Sequence, residues 1–123
     1  MSAWTSNELD AVGGADELRL ASARPDGTLR KPVTIWVVRV GDSLYVRSVF
    51  GQGSRWFRGV QDRHEGRISA GGVEQDVDFV EVGEPKDAID EAYRTKYGHY
   101  PTDVVDPTVG PEAQAATLQI VPR

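Results

Sequence analysis

Arg30-Lys31-Pro32-Val33-Thr34-Ile35-Trp36-Val37-Val38-Arg39-Val40, then Gly41-Asp42, then Ser43-Leu44-Tyr45-Val46-Arg47-Ser48-Val49, is the stretch that decides the fold of this chain. Strand alternation puts Arg30, Pro32, Thr34 and Trp36 on one side and Lys31, Val33 and Ile35 on the other. Between Val33 and Val38 apolar side chains fall on both sides, which predicts a central strand running from Thr28 to Val40. Gly41-Asp42 makes a tight turn, and Leu44 to Val49 returns as the next strand.

Upstream, Glu17 to Ala23 alternates, with Leu18 and Leu20 on one face and Arg19 on the other. It ends at Pro25-Asp26-Gly27, where Pro presets φ and Gly accepts a positive φ. These three strands predict a meander. Ser6 to Val12 reads as one or two helical turns capped by Ser6 and stopped by Gly13-Gly14, with Trp4 and Leu9 packing it onto the sheet. Downstream, Gly51-Gln52-Gly53-Ser54 is a glycine-rich loop. Ser54 is placed to cap a helix over Arg55 to Gln61 with Trp56, Phe57 and Val60 as its apolar stripe. Gly66 to Ala70 and Val73 to Val82 form a hairpin about Gly71-Gly72, with Val77 and Phe79 sharing a face. Pro85 opens a helix with Ile89, Ala92, Tyr93, Lys96 and Tyr97 at helical spacing and Gly98 at its end. His99 to Ala116 reads as irregular, with a short turn at Glu112 to Ala115, and Thr117 to Val121 as a short closing strand. The fold class is α+β, mainly β: about six antiparallel strands with two or three short helices, closed or nearly closed so that few edges remain exposed.

The 123 residues fit a single domain, 1–123. Hydrophobic residues are 39% and charged residues 27%, a balance that supports one modest core and excludes a disordered chain. There is no cysteine, which excludes disulfides and thiolate chemistry and fits a cytoplasmic location. Met1 to Glu8 has neither a basic nor an apolar export region, and no apolar run reaches membrane-spanning length, so no membrane partner is expected. A net charge of −5 argues against nucleic acid. Yet Arg24, Arg30, Lys31, Arg39, Arg47, Arg55, Arg58, Arg63 and Arg67 face only Asp26, Asp42, Asp62 and Glu65 within that segment. A basic middle in an acidic chain points to a small anionic ligand, or to a strand face balanced by acids from elsewhere.

Two constellations suit such a ligand. In the first, Arg30 and Lys31 precede a strand: a guanidinium can fork onto phosphate, and the backbone of Val33 to Trp36 can pair with a flat heterocycle. In the second, Arg47 lies mid-strand, where a cation needs either a ligand or an acid such as Asp76 or Asp78. Ser48, the Gly51–Ser54 backbone, Arg55 and Trp56 follow it, and the start of a helix favours anions. Neither constellation is a Walker or a dinucleotide-binding loop. Trp36, Tyr45, Trp56, Phe57, Tyr93, Tyr97 and Tyr100 can wall a flat ligand or fill a core. The acid–base set is thin. His64 reads as part of a solvated turn, while Tyr97 and His99 are the candidate catalytic groups, on a segment that can cover a pocket. Asp76 and Asp78 share a strand face and suit salt bridges. No histidine cluster has metal-ligand spacing, so no metal site is expected.

The order of Arg30-Lys31-Pro-Val-Thr-Ile-Trp36, Leu44-Tyr-Val-Arg47-Ser48, the glycine loop, Ser54-Arg-Trp56-Phe57, the hairpin and Tyr93-Arg-Thr-Lys96-Tyr97-Gly98 resembles a small domain-of-unknown-function family. In outline it is similar to the flavin-binding split-barrel proteins, which include pyridoxamine-phosphate-oxidase-like proteins and deazaflavin-dependent nitroreductases. That resemblance implies a six-stranded antiparallel split β-barrel and a homodimer. It implies a cofactor site at Arg30, Lys31, Thr34, Trp36, Arg47, Ser48, Ser54, Arg55 and Trp56. The Gly-Arg-Lys-Ser-Gly phosphate motif of the deazaflavin reductases is replaced by Gly27-Thr28-Leu29-Arg30-Lys31. Two functional expectations follow. One is an oxidoreductase that binds FMN or a deazaflavin and acts on a small organic substrate. The other is a cofactor-free protein that binds a small molecule, or a cyclase or isomerase acting on an aromatic metabolite.

Overall fold

The computed structural model describes residues 3–123 and contains seven strands: β1 (Leu18–Ser22), β2 (Val33–Ile35), β3 (Val38–Val40), β4 (Ser43–Arg47), β5 (Glu65–Ala70), β6 (Val73–Glu81) and β7 (Thr117–Pro122). They form one antiparallel sheet in the order β2-β1-β5-β6-β7-β4-β3. The mainly β, α+β expectation agrees with this sheet, which has one strand more than expected. The extra strand comes from the decisive stretch. The single central strand expected over Thr28 to Val40 is instead β2 and β3, interrupted at Trp36 and Val37 and lying at the two opposite edges of the sheet. There is accordingly no three-stranded meander, and β7 lies inside the sheet between β6 and β4.

This order forces curvature. Ile35 ends one edge strand and Val38 begins the other. Three peptide links span at most about 11 Å. A flat sheet would hold its outer strands several times farther apart, at about 4.8 Å per strand. The sheet therefore curls into a half-barrel whose two edges approach each other at that junction, joined there by the chain and not by strand hydrogen bonds.

The apolar pattern that suggested a central strand has a different cause. Val37 is buried in the barrel interior with Leu18, Leu20, Leu44, Val46, Phe57, Ile68, Val77, Phe79, Leu118 and Ile120. Val38 is buried on the outside with Tyr45, Ile89, Tyr93, Tyr97 and Val105. Burial on both faces reflects a helical layer over the barrel wall, which an edge strand can share. β4 is built the same way, with Leu44 and Val46 inward and Tyr45 and Arg47 buried beneath the helices.

The helices are α1 (Ser6–Gly13), α2 (Arg55–Arg63), α3 (Lys86–Tyr97), α4 (Thr102–Val105) and α5 (Pro111–Gln114), with a 3-10 turn at Asp106–Val109. Thr5, not Ser6, caps α1: its hydroxyl accepts from the Glu8 N–H at 3.1 Å, while Glu8 accepts from the Thr5 N–H at 2.9 Å. Trp4 and Leu9 do pack α1 on the barrel, and Trp4 Nε1 donates to the Ile120 carbonyl at 2.9 Å. His99–Ala116, expected to be irregular apart from a short turn at Glu112 to Ala115, holds α4, the 3-10 turn and, at that turn, α5, so the described residues contain five α-helices where two or three were expected. Pro101, Pro107 and Pro111 stand at their starts, where the missing N–H costs nothing. Elements of four residues are too short to show a periodic stripe.

Candidate functional site

The junction between the two edges sets the geometry. Where the chain leaves β2 and enters β3, the Val37 backbone has no strand partner, and α3 supplies one. Tyr97 Oη accepts from the Val37 N–H at 3.2 Å and donates to the Asp16 carbonyl at 2.7 Å. Lys96 Nζ donates to the Val37 carbonyl at 2.6 Å. Burial pushes the Lys96 ammonium down to about 8, against the opposing pull of Asp16, and burial pushes the Tyr97 phenol up. The expected catalytic role of Tyr97 does not match this arrangement, because its hydroxyl is committed to tying down the junction. Its ring is stacked on Trp36, with centroids 3.9 Å apart and planes 3° apart. His99 is exposed, packs against Tyr100 and lines neither cavity described below.

Beside the junction lies a slot of about 330 Å³, walled by Val33, Ile35, Trp36, Val49, Phe50 and Trp56, with Thr34, Arg47, Tyr93 and Thr108 as its polar members. A second cleft of about 420 Å³ is lined by Arg24, Arg30, Lys31 and Arg55 over Leu20, Ser22, Val33 and Trp56. The two cavities share Val33 and Trp56. Among the described residues, Arg30 alone of those four cations has a carboxylate within salt-bridge distance, Asp62 at 2.5 Å. Arg30 also donates to the Ala23 and Gly59 carbonyls at 2.8 and 3.1 Å, so it braces the cleft while Lys31 and Arg55 stand exposed at its rim.

Of the nine residues expected at a cofactor site, Arg30, Lys31, Arg55 and Trp56 meet at the basic cleft, and Thr34, Trp36, Arg47 and Trp56 at the slot. Ser48 and Ser54 do not line either. Their hydroxyls bond each other at 2.7 Å, fixing the loop that starts α2, and Ser54 makes no side-chain cap.

Arg47 is the main correction. Its guanidinium pairs with Asp90 at 2.5 Å and donates to Thr117 Oγ1 at 3.0 Å, the Thr108 carbonyl at 2.9 Å and the Lys86 carbonyl at 3.4 Å. Four of its five N–H groups are thus used internally. It lies 5.6 Å from the Tyr93 ring centre. Arg47 therefore anchors α3 and the 3-10 turn to the sheet, and it is not a free phosphate ligand. Nor is its partner Asp76 or Asp78: those pair with Arg67 at 3.0 Å and Arg123 at 3.4 Å. The sequence carried one signal for Asp90, an acid on the helix stripe formed by Ile89, Tyr93 and Tyr97.

Tyr93, one of the aromatics able to wall a ligand or fill a core, belongs to the slot. It is 1% exposed, and its Oη has no hydrogen-bond partner among the described residues. Burial pushes the phenol up, opposed by the nearby Arg47 charge and, more weakly, by the Arg47 backbone N–H, which does not reach hydrogen-bond geometry. His64, in a left-handed conformation at the end of α2, pairs with Glu81 at 2.7 Å on the surface. Among the described residues no cluster of His, Cys, Asp and Glu suits a metal ion, and no helix is long and apolar enough to cross a membrane.

No curated protein matches the chain by sequence. Among solved structures, the conserved hypothetical protein Rv2991 from Mycobacterium tuberculosis superposes with a TM-score of 0.68 at 16% identity, covering 98% of this chain and 81% of that one. An F420 reductase superposes with a TM-score of 0.59 at 18% identity, covering 98% and 94%. At such identities the likeness is one of fold. Residues 8–120 match a family described as an uncharacterized protein conserved in bacteria, and the chain belongs to that family, DUF2255.

Proposed function

We propose that this protein binds a flat heterocycle carrying a phosphate, FMN or a deazaflavin, and acts as an oxidoreductase on a small organic substrate. The carrying observation is the adjacency of the two cavities. An aromatic slot opens beside a cleft lined by four cations, with Val33 and Trp56 as the common wall. A ring fits the slot, where Trp36 and Trp56 offer apolar faces. A phosphate attached to it falls within reach of Lys31 and Arg55, next to the N-terminal turn of α2. Likeness of fold to an F420 reductase supports the deazaflavin alternative. A bound flavin or deazaflavin supplies hydride transfer, and the residues of this chain supply orientation and charge.

The test is fluorescence titration of the purified protein with FMN and with a phosphorylated 8-hydroxy-5-deazaflavin. Quenching of at least one is expected. Lys31→Ala and Arg55→Ala should each weaken binding by about tenfold, the loss from one charge-assisted contact, and more steeply at low salt. Undiminished fluorescence of both ligands at high protein concentration would refute the reading.

A further inference from the structure

The split in the barrel leaves polar groups at one end of the slot. β3 begins at Val38, opposite Tyr45 on β4, and the ladder goes no further toward Trp36. Two residues on, Trp36 would face Arg47 had the pairing continued. The Ser48 N–H points to β7's side, where it donates to the Ala116 carbonyl at 3.0 Å. Because successive N–H groups in an antiparallel strand point to opposite sides, the Arg47 N–H points the other way, into the gap left by the missing pair. Arg47, Tyr93 and Thr108 all line the slot. Tyr93 Oη is buried and has no hydrogen-bond partner among the described residues. Native proteins pair nearly all buried polar atoms, so an orphan hydroxyl on a residue that lines a cavity is open to a partner supplied from outside the chain.

We propose that Tyr93 Oη and the Arg47 backbone N–H together receive the carbonyl-bearing edge of a flat ring, making Tyr93 a positioning residue that selects rings with an acceptor at that edge. This rests on the reading of the slot as a ring site. It adds a direction: the ring enters with its oxygen-bearing edge toward α3 and its phosphate-bearing side toward Lys31 and Arg55. It also carries a trade-off, since the group that recognises the ring destabilises the protein without it.

Tyr93→Phe in the full chain tests this by two readouts. Unfolded by heat without ligand, the variant should melt a few degrees above wild type, because the orphan oxygen is gone. In fluorescence titrations it should lose the same factor for FMN and for riboflavin, each binding about tenfold worse than to wild type. Lys31→Ala/Arg55→Ala should lose FMN and keep riboflavin, because only the phosphate contacts are removed. A Tyr93→Phe protein that melts at or below the wild-type temperature, or binds both ligands as wild type does, overturns the proposal while leaving the ring-site reading intact. Wild-type protein that binds neither of these ligands nor the phosphorylated 8-hydroxy-5-deazaflavin overturns both.

Discussion

Replacing Asp90 by Leu isolates the buried ion pair on which the helical layer rests. The Arg47 side chain is 1% exposed and Asp90 12%. Removing the carboxylate leaves a guanidinium in the interior with only neutral acceptors, Thr117 Oγ1 and the Thr108 and Lys86 carbonyls. It also strands the Gln114 amide that donates to Asp90 at 2.9 Å, although the Val109 carbonyl remains to it at 3.0 Å. Breaking one side of such a pair costs about 3–5 kcal/mol. For a domain of this size each kcal/mol moves the melting temperature by roughly 3–5 °C, so Asp90→Leu should melt on the order of 10–25 °C lower. Arg47→Met should be comparably costly, because it strands the carboxylate. The double variant Arg47→Met/Asp90→Leu replaces both charges with apolar volume and should recover most of the loss. Urea unfolding of the four proteins closes a double-mutant cycle, with an expected coupling of about 2 kcal/mol or more that 0.5 M salt barely changes. A single variant within about 1 kcal/mol of wild type, or a double variant as poor as the sum of the singles, would show that the pair does not hold the layer in place.

Three further outcomes follow from the same contacts. With its value held down to about 8 by burial, Lys96 releases its proton in the native state above about pH 8, while the unfolded chain keeps one up to about pH 10.4. The unfolded state then binds more protons, so this residue makes stability rise with pH across that window. The stability difference between wild type and Lys96→Met, measured by urea unfolding from pH 7 to 10, should grow in wild type's favour, and a flat or falling difference would contradict the assignment. Tyr97→Phe strands the Val37 N–H at the barrel junction and should cost about 1–3 kcal/mol, visible as a lower urea midpoint and faster hydrogen exchange at Val37. In Gly66→Ala the new methyl would lie 2.1 Å from the Ala21 carbonyl oxygen and 3.0 Å from the Phe79 ring, so β1 and β5 must separate. A loss of about 3 kcal/mol in urea unfolding is expected, and a variant within about 0.5 kcal/mol would show that the strands yield easily.

Local rules made most of the elements legible. The Gly71-Gly72 hairpin, the helix that follows Ser54 and the helix from Pro85 to Gly98 each depend on neighbours in sequence, and the structure keeps them within a residue or two. The basic segment was also legible, because charge is additive along the chain. Its division was not: Lys31 and Arg55 reach one cleft, whereas Arg47 turns into the interior to meet an acid 43 residues away.

What the sequence by itself determined is the inventory: alternating strands, turns, two longer helices and an excess of cations over the middle of the chain. What only the tertiary structure decided is how Arg30 to Val49 is used. Alternation shows that Val37 and Val38 are covered on both faces, but the covering can come from neighbouring strands or from a helix. Here it comes from the barrel interior on one face and α3 on the other. That leaves both strands free to be edges, and the gap between those edges is where the slot forms. Pairing between strands and the reach of Asp90 to Arg47 are long-range contacts, set by the closure of the whole sheet and not by any spacing along the chain.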